Sequence, residues 1–259
     1  MRRVIYNIAA MLLSATALLM AGCVTDEAQE PMPTRACELI ISKSLQDIEA
    51  TANALQSIIA FDAYLSAESD EEREAIHKSL LDGFNIEPND TGYTLRNRYY
   101  HNVDNVIVIE GAHGPLAEGS SWRAHRTVYR PFDLTIEATS EGYRVTISSF
   151  AVEQRSGEAD LRITNTLISD DPIEVVMQLE GEIVTTDRRK SPSQPLTITT
   201  TITKPITLNR PSGSMRGGKF TILCVDEYYG TRDEISATVD ATINKITAIY
   251  EGYKMYYMF

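Results

Sequence analysis

The side chains best suited to bind a ligand lie between positions 93 and 130. Arg98 and Tyr100 alternate on one predicted strand, while Arg123 and His125 alternate on another, directly after the only tryptophan, Trp122. Alternate residues of a strand point to the same face, so these cations and rings would converge if the two strands are neighbours. Guanidinium groups bind oxyanions and aromatic rings stack on ligands, which suits an anionic glycan, a carboxylate ligand or a partner protein.

The alternative for these arginines is ion pairing with acids on adjacent strands. The chain holds 36 acidic against 24 basic side chains, a formal net charge of −12, so acidic partners are plentiful. The same acidic balance argues against nucleic-acid binding, which needs a basic face.

Motifs for enzymatic catalysis and metal binding are missing from the sequence. His101, His113 and His125 are spaced twelve residues apart, which matches no metal-ligand spacing. Neither Gly-x-Ser-x-Gly nor Ser-x-x-Lys occurs. The paired acids lack calcium-loop spacing and are typical of solvated turns: Asp170-Asp171, Asp226-Glu227 and Asp233-Glu234. We therefore expect no metal, no cofactor and no enzymatic activity, with a two-carboxylate hydrolase as the remaining catalytic alternative.

Two helices and a sheet would position these side chains. Apolar residues recur at helical spacing from Ile41 to Ile59, and Ser69 with Glu72 forms the capping box of a second helix. From about residue 90 the hydrophobic period changes to two, most clearly in the run from Leu196 to Ile202. This pattern predicts helices over 37–82 and roughly ten strands over 90–259.

The predicted fold is α+β, a single domain over 37–259. Strands joined by short turns pair antiparallel, and strands with one apolar face need one cover. We expect the N-terminal helical pair to pack on a curved, mostly antiparallel β-meander.

Cys37 in the first helix and Cys224 in a strand are candidates for one disulfide. Closing so long a loop would stabilise the fold by about 4–5 kcal/mol in the chain-entropy model. The alternative is two buried thiols that behave as small apolar side chains.

The N-terminus carries an export signal. Arg2 and Arg3 precede an apolar stretch that ends at Met20 and is short for a membrane span. The run Leu19-Met20-Ala21-Gly22-Cys23 resembles the lipobox of bacterial lipoproteins. The resemblance implies a signal peptide over 1–22, lipid attachment at Cys23 and a lipidated tether over 23–36. Asp26-Glu27 resembles the surface-export signal of Bacteroidota-type lipoproteins, although a solvated acidic tether has the same composition.

Cleavage before Cys23 would remove two arginines and no acid, leaving 22 basic and 36 acidic side chains, a net charge of −14. Anionic lipid repels so negative a body, so we expect membrane contact through the acyl anchor at Cys23.

Together these features predict an outer-membrane lipoprotein, facing the periplasm or the cell surface, that acts as a non-enzymatic binding or assembly module for a glycan or a cell-envelope protein. One alternative is a periplasmic carrier of an apolar ligand in a helix-covered half-barrel, which needs an unfilled apolar cavity. The other is an integral outer-membrane β-barrel, whose closing strand the C-terminal run Tyr253–Phe259 resembles.

Overall fold

The computed structural model describes residues 33–99, 105–170, 173–188, 191–210, 215–239 and 245–258. The predicted signal peptide, the predicted lipidation site Cys23 and residues 23–32 of the predicted tether lie outside these ranges, whereas residues 33–36 of the tether belong to a helix. The chain divides into two units, Met1–Leu39 and Ile40–Phe259. Of the first unit, the structure describes only the start of a helix, in which Cys37 is buried.

Two helices lie in the described N-terminal part, α1 over Pro33–Ser66 and α2 over Asp70–Leu80. The predicted apolar stripe of α1 is confirmed, because Ile48, Leu55 and Ile59 are fully buried. The predicted cap of α2 is confirmed as well, since the backbone N–H of Glu72 donates to Ser69 Oγ at 3.1 Å. Neither helix is long and apolar enough to cross a lipid bilayer.

Fourteen strands follow in the described residues, so the prediction of roughly ten was wrong. They are β1 Phe84–Asn89, β2 Gly92–Asn97, β3 Val106–Glu110, β4 Ser121–Arg126, β5 Phe132–Thr139, β6 Gly142–Val152, β7 Arg155–Asp170, β8 Ile173–Asp187, β9 Leu196–Arg210, β10 Met215–Arg216, β11 Lys219–Asp226, β12 Thr231–Val239, β13 Lys245–Tyr250 and β14 Tyr253–Met258. The sheet also begins earlier than predicted, at β1. This strand contains Pro88, which is compatible with a strand here because β1 lies at the edge of the sheet.

The strands form one antiparallel sheet in the order β1 to β9 and then β11 to β14, with β10 paired to β9. Each strand of this path pairs with the one before it, so the predicted antiparallel meander is confirmed.

One helix, and not a helical pair, covers the sheet. The Phe61 ring of α1 lies 5.1 Å from the Tyr93 ring of β2, while Ser44 Oγ bonds Thr200 Oγ1 of β9 at 2.7 Å. The thirteen strands of the main path would span about 58 Å if flat, and a helix is only about 10 Å wide. Apolar side chains from β2 to β13 are nevertheless buried, although α1 alone is too narrow to cover a flat sheet of this width.

Helix α2 does not share this cover, so the predicted packing of the helices is corrected. The His77 ring lies 6.1 Å from the Tyr64 ring at the end of α1, and α2 approaches β8. The short, charged α2 buries only Ile76 and Leu80, too little apolar surface to cover a wide sheet.

Glycine is required at two positions where the backbone of a neighbouring strand approaches closely. Gly142 and Gly181 have φ angles of +139° and +127°. A Cβ at either position would lie 2.1–2.2 Å from the backbone carbonyl oxygen of a neighbouring strand. The pairing register shifts beside Gly181, as at a β-bulge, and bulges bend and twist the strand that contains them.

A buried ion pair fixes α1 on the sheet. Arg155 Nη2 of β7 donates to Asp47 Oδ1 at 2.6 Å, and Thr185 Oγ1 of β8 donates to Asp47 Oδ2 at 2.6 Å. Burial raises the pKa of Asp47, while the hydrogen bonds from Thr185 and Arg155 oppose that rise. Charges this deep stay buried only when they are paired, so this contact sets the position of α1 along β7 and β8.

Asp62 makes a second polar contact nearer the end of α1. The hydroxyl of Tyr143 on β6 donates to Asp62 Oδ2 at 2.6 Å, and the N–H of Leu116 donates to Asp62 Oδ1 at 2.7 Å. Burial and the adjacent carboxylate raise the pKa of Tyr143, so its hydroxyl stays a donor.

Cys37 and Cys224 are both buried. Burial raises the pKa of the Cys224 thiol to about 12. The disulfide between them stays a prediction.

Candidate functional site

The tryptophan of the predicted binding patch lies in the core. Trp122 is 2% exposed, and its ring lies 5.7 Å from the Phe61 ring of α1. Because Trp122 and Arg123 are consecutive on β4, their side chains point to opposite faces of the sheet. Trp122 therefore does not belong to the exposed patch in which we placed it.

Arg123 is exposed but already paired. Its Nε and Nη2 donate to Asp133 at 3.1 and 2.7 Å, and its Nη1 lies 3.4 Å from Glu110 Oε2. The Arg123 guanidinium holds the pKa of Asp133 below its usual value. His125 lies on the same face, opposite Asp133, with its Nδ1 buried and without a hydrogen-bond partner in the described residues.

The two strands of the predicted patch are not neighbours, because β3 lies between β2 and β4. Arg98 follows β2, where its Nε donates to Asn85 Oδ1 at 2.7 Å and its Nη1 lies 3.8 Å from Asp82. Tyr100 lies outside the described residues. The structure thus brings Arg123 and His125 together, separates them from Arg98, and pairs both arginines with acids, as the alternative interpretation stated.

Another arginine of the same region, Arg130, carries an available charge. It lies in the loop between β4 and β5, its guanidinium is 5.7 Å from the centre of the Tyr129 ring, and it forms no ion pair with a described residue. Tyr129 and Arg130 have φ angles of +53° and +55°. Residues other than glycine hold such angles only where their surroundings impose them, often at binding sites.

The loop is fixed by Arg126. Its Nε and Nη2 donate to the carbonyl oxygen of Arg130 at 3.1 and 2.9 Å. The Arg126 guanidinium also lies 5.1 Å from the centre of the Phe132 ring, which is buried in the core. Arg126 therefore joins the backbone of the loop at Arg130 to the edge of the core.

Arg130 lines a cleft of about 230 Å³, which we call the Arg130 cleft. Its other walls are one side of α1 and the end of the β6–β7 hairpin. The lining side chains are Gln46, Glu49, Ala50, Asn53, Arg130, Ala151, Val152 and Glu153.

A buried cation lies behind one wall of this cleft. Arg155 is 1% exposed, and its Nε and Nη1 have no hydrogen-bond partner among the described residues. Its Nη1 lies 3.6 Å from Glu153 Oε2, and its Nη2 lies 3.4 Å from Gln46 Oε1. Gln46 Nε2 donates to Glu153 Oε1 at 3.1 Å, so these two side chains separate Arg155 from the cleft. Buried donors without partners are unfavourable, which makes this position receptive to an oxyanion.

Larger clefts of about 730 and 510 Å³ flank the turn between β5 and β6. They are open, and their walls consist mainly of hydroxyl, carboxylate and backbone groups around Thr139, Glu141 and Tyr143. The smaller of these two clefts is also lined by Arg144 and Arg162, and Arg162 lies 3.9 Å from Glu141. The Arg130 cleft is smaller, and its charged lining residues are one arginine, Arg130, and two carboxylates, Glu49 and Glu153.

Among the described residues, no group of three or more His, Cys, Asp or Glu side chains is arranged to hold a metal ion. No protein family, curated protein or solved structure matches the chain. The candidate site therefore depends on the geometry of the Arg130 cleft alone.

Tyr129 and Arg130 belong to the basic region found in the sequence, but nothing in the sequence separates Arg130 from the arginines that are paired.

Proposed function

We propose that this chain is an outer-membrane lipoprotein, anchored through Cys23, that acts as a non-enzymatic binding or assembly module facing the periplasm or the cell surface. Its binding site is the Arg130 cleft, which takes an anionic group of a glycan or of a cell-envelope protein. The observation that carries this proposal is the Arg130 guanidinium, which forms no ion pair with a described residue and lies on a loop held by Arg126, at a cleft backed by a second cation, Arg155.

Arg130 and Arg155 favour an anionic group in the cleft, and the lining carboxylate Glu49 has a cation of its own, since its Oε1 lies 3.6 Å from Arg210 Nη2. A guanidinium donates several parallel hydrogen bonds and binds carboxylate, sulfate and phosphate oxygens in pairs. The exposed Tyr129 ring beside Arg130 adds an apolar surface on which a sugar ring or a side chain can stack.

The packing of the core favours surface binding over the carrier alternative. Ile48, Leu55 and Ile58 of α1 have no surface accessible to water, and neither do Leu179 and Ile222 of the sheet. A cavity large enough for an apolar ligand would leave its lining side chains accessible to a molecule as small as water. At these positions the interface between α1 and the sheet is therefore filled by side chains.

Affinity electrophoresis of the full lipoprotein in detergent would test the glycan form of this proposal. Gels would contain polygalacturonate, an acidic polysaccharide, or dextran, a neutral one. We expect polygalacturonate to retard the wild-type protein and Arg216→Ala, and to leave Arg130→Ala unretarded. Arg216 is a matched control, since it is exposed and forms no ion pair with a described residue. Equal retardation of Arg130→Ala and Arg216→Ala, or retardation by dextran, would overturn the proposal.

The anchor is tested separately by labelling cells with radioactive palmitate. We expect the label in the wild-type protein and not in Cys23→Ser, which should also leave the membrane fraction. An unlabelled wild-type protein would remove the basis for calling the chain a lipoprotein.

A further inference from the structure

We infer that the group bound in the Arg130 cleft is a carboxylate, and that Glu153 occupies its place when no ligand is bound. The ligand carboxylate would lie between Arg130 and Arg155 after the Glu153 side chain turns outward. This inference rests on the proposed function of the cleft and names its ligand class.

The first step is that Glu153 is held weakly. Its Oε2 lies 3.6 Å from Arg155 Nη1, which is close enough for attraction between the charges and too far for a hydrogen bond. Its one described hydrogen bond, from Gln46 Nε2 to Oε1, is 3.1 Å long, and its side chain is 55% exposed. A half-exposed side chain with one such contact can leave its position easily.

The second step is that Arg155 is left with unused donors. The fold uses its Nη2, which donates to Asp47 and to the carbonyl oxygen of Lys43. Its Nη1 and Nε are buried without hydrogen-bond partners in the described residues. The Nη1 faces Glu153, so a ligand oxygen in place of the Glu153 carboxylate would meet a donor that the fold does not use.

The third step is the choice of a carboxylate over other anions. The cleft already receives a carboxylate at this position, with one oxygen toward Arg155 and the other toward Gln46. A volume of about 230 Å³ suits one sugar ring or one amino-acid residue. An acidic monosaccharide unit such as a uronate has the required charge and size.

Calorimetric titration of the full lipoprotein with D-glucuronate, with D-glucose as the neutral analogue, would test the inference. Glu153→Gln removes the competing charge and keeps the size of the side chain. We expect it to bind glucuronate roughly tenfold more tightly than the wild type, equivalent to about 1.4 kcal/mol, and glucose to bind none of the proteins.

Glu251→Gln is the matched control. Glu153 begins the turn between β6 and β7 with a φ angle of +54°, and Glu251 begins the turn between β13 and β14 with a φ angle of +47°. Glu251 does not line the cleft. It should bind glucuronate as the wild type does. Equal affinity in Glu153→Gln and Glu251→Gln would overturn this inference, while loss of binding in Arg130→Ala would still support the proposed function. Unchanged binding in Arg130→Ala would overturn both.

Discussion

Replacing Asp47 by alanine should destabilise the fold far more than replacing Asp133 by alanine. Each carboxylate accepts a short hydrogen bond from an arginine, at 2.6 Å from Arg155 and at 2.7 Å from Arg123. The side chains of the first pair are both 1% exposed, whereas those of the second are 31% and 53% exposed. The two variants therefore compare the same chemistry at opposite extremes of burial.

The magnitude follows from what each substitution leaves behind. Asp47→Ala leaves the Arg155 charge buried without compensation and removes the acceptor of the Thr185 hydroxyl. Breaking a buried pair in this way costs about 3–5 kcal/mol, out of a typical total stability of about 5–15 kcal/mol. Asp133→Ala leaves Arg123 in water, where exposed pairs contribute little, so its effect should be much smaller.

Urea unfolding followed by tryptophan fluorescence would measure both effects, because Trp122 is the only tryptophan and is buried against α1. The midpoint should fall strongly for Asp47→Ala at an unchanged denaturant slope. A triple variant, Asp47→Leu with Arg155→Met and Thr185→Val, should recover most of the loss, since apolar groups of similar volume replace buried ion pairs at little cost. Equal midpoints for the two alanine variants would refute this account of α1.

Three further outcomes are expected. Arg123 lowers the pKa of the Asp133 carboxyl in the folded protein. The contribution of this carboxyl to stability is therefore present above its unfolded pKa of about 3.9, and it is lost as the pH falls through its folded pKa. Arg123→Ala should thus lower the urea midpoint more at pH 7 than in acid, and a deficit as large in acid as at pH 7 would contradict this. Cys224, with a pKa of about 12, should resist Ellman's reagent at pH 8 until urea is added, and rapid native labelling would show that it is accessible. Gly181→Ala should lower the free energy of unfolding by about 2 kcal/mol or more in the same urea assay, because its Cβ would lie 2.2 Å from a carbonyl oxygen. Gly252→Ala is the control: its φ angle is +85° but its Cβ would enter open space, so it should lower the free energy of unfolding less.

The helices and the meander were predictable because their signals are local. The stripe from Ile41 to Ile59 fixes which side of α1 is buried, and the Ser69 cap fixes where α2 begins. The strand count was not predictable in the same way. β1 contains Pro88, β3 is a nearly continuous apolar run, and β10 has two residues, so none of them shows a regular period of two.

The candidate site could be predicted only in outline. Strand parity alone places Trp122 and Arg123 on opposite faces, so the sequence did hold the signal that separates them. Which arginines are neutralised depends on register, since Arg123 reaches Asp133 and Glu110 only because β3, β4 and β5 are adjacent. The left-handed backbone at Tyr129 has no sequence signal, because such angles are usually reserved for glycine and asparagine.

Stability and binding should be coupled in this protein because Arg155 serves both. One of its nitrogens holds Asp47 and fixes α1, while another faces Glu153 at the wall of the cleft. A carboxylate bound in the cleft would accept a hydrogen bond from Arg155 Nη1, which has no hydrogen-bond partner among the described residues, so it would bind the folded chain and not the unfolded one. Such a ligand raises the free energy of unfolding by about 2.7 kcal/mol at one hundred times its dissociation constant. We expect saturating glucuronate to raise the urea midpoint of Glu153→Gln and to leave that of Arg130→Ala unchanged. An equal rise in both variants would show that the stabilisation arises away from the cleft.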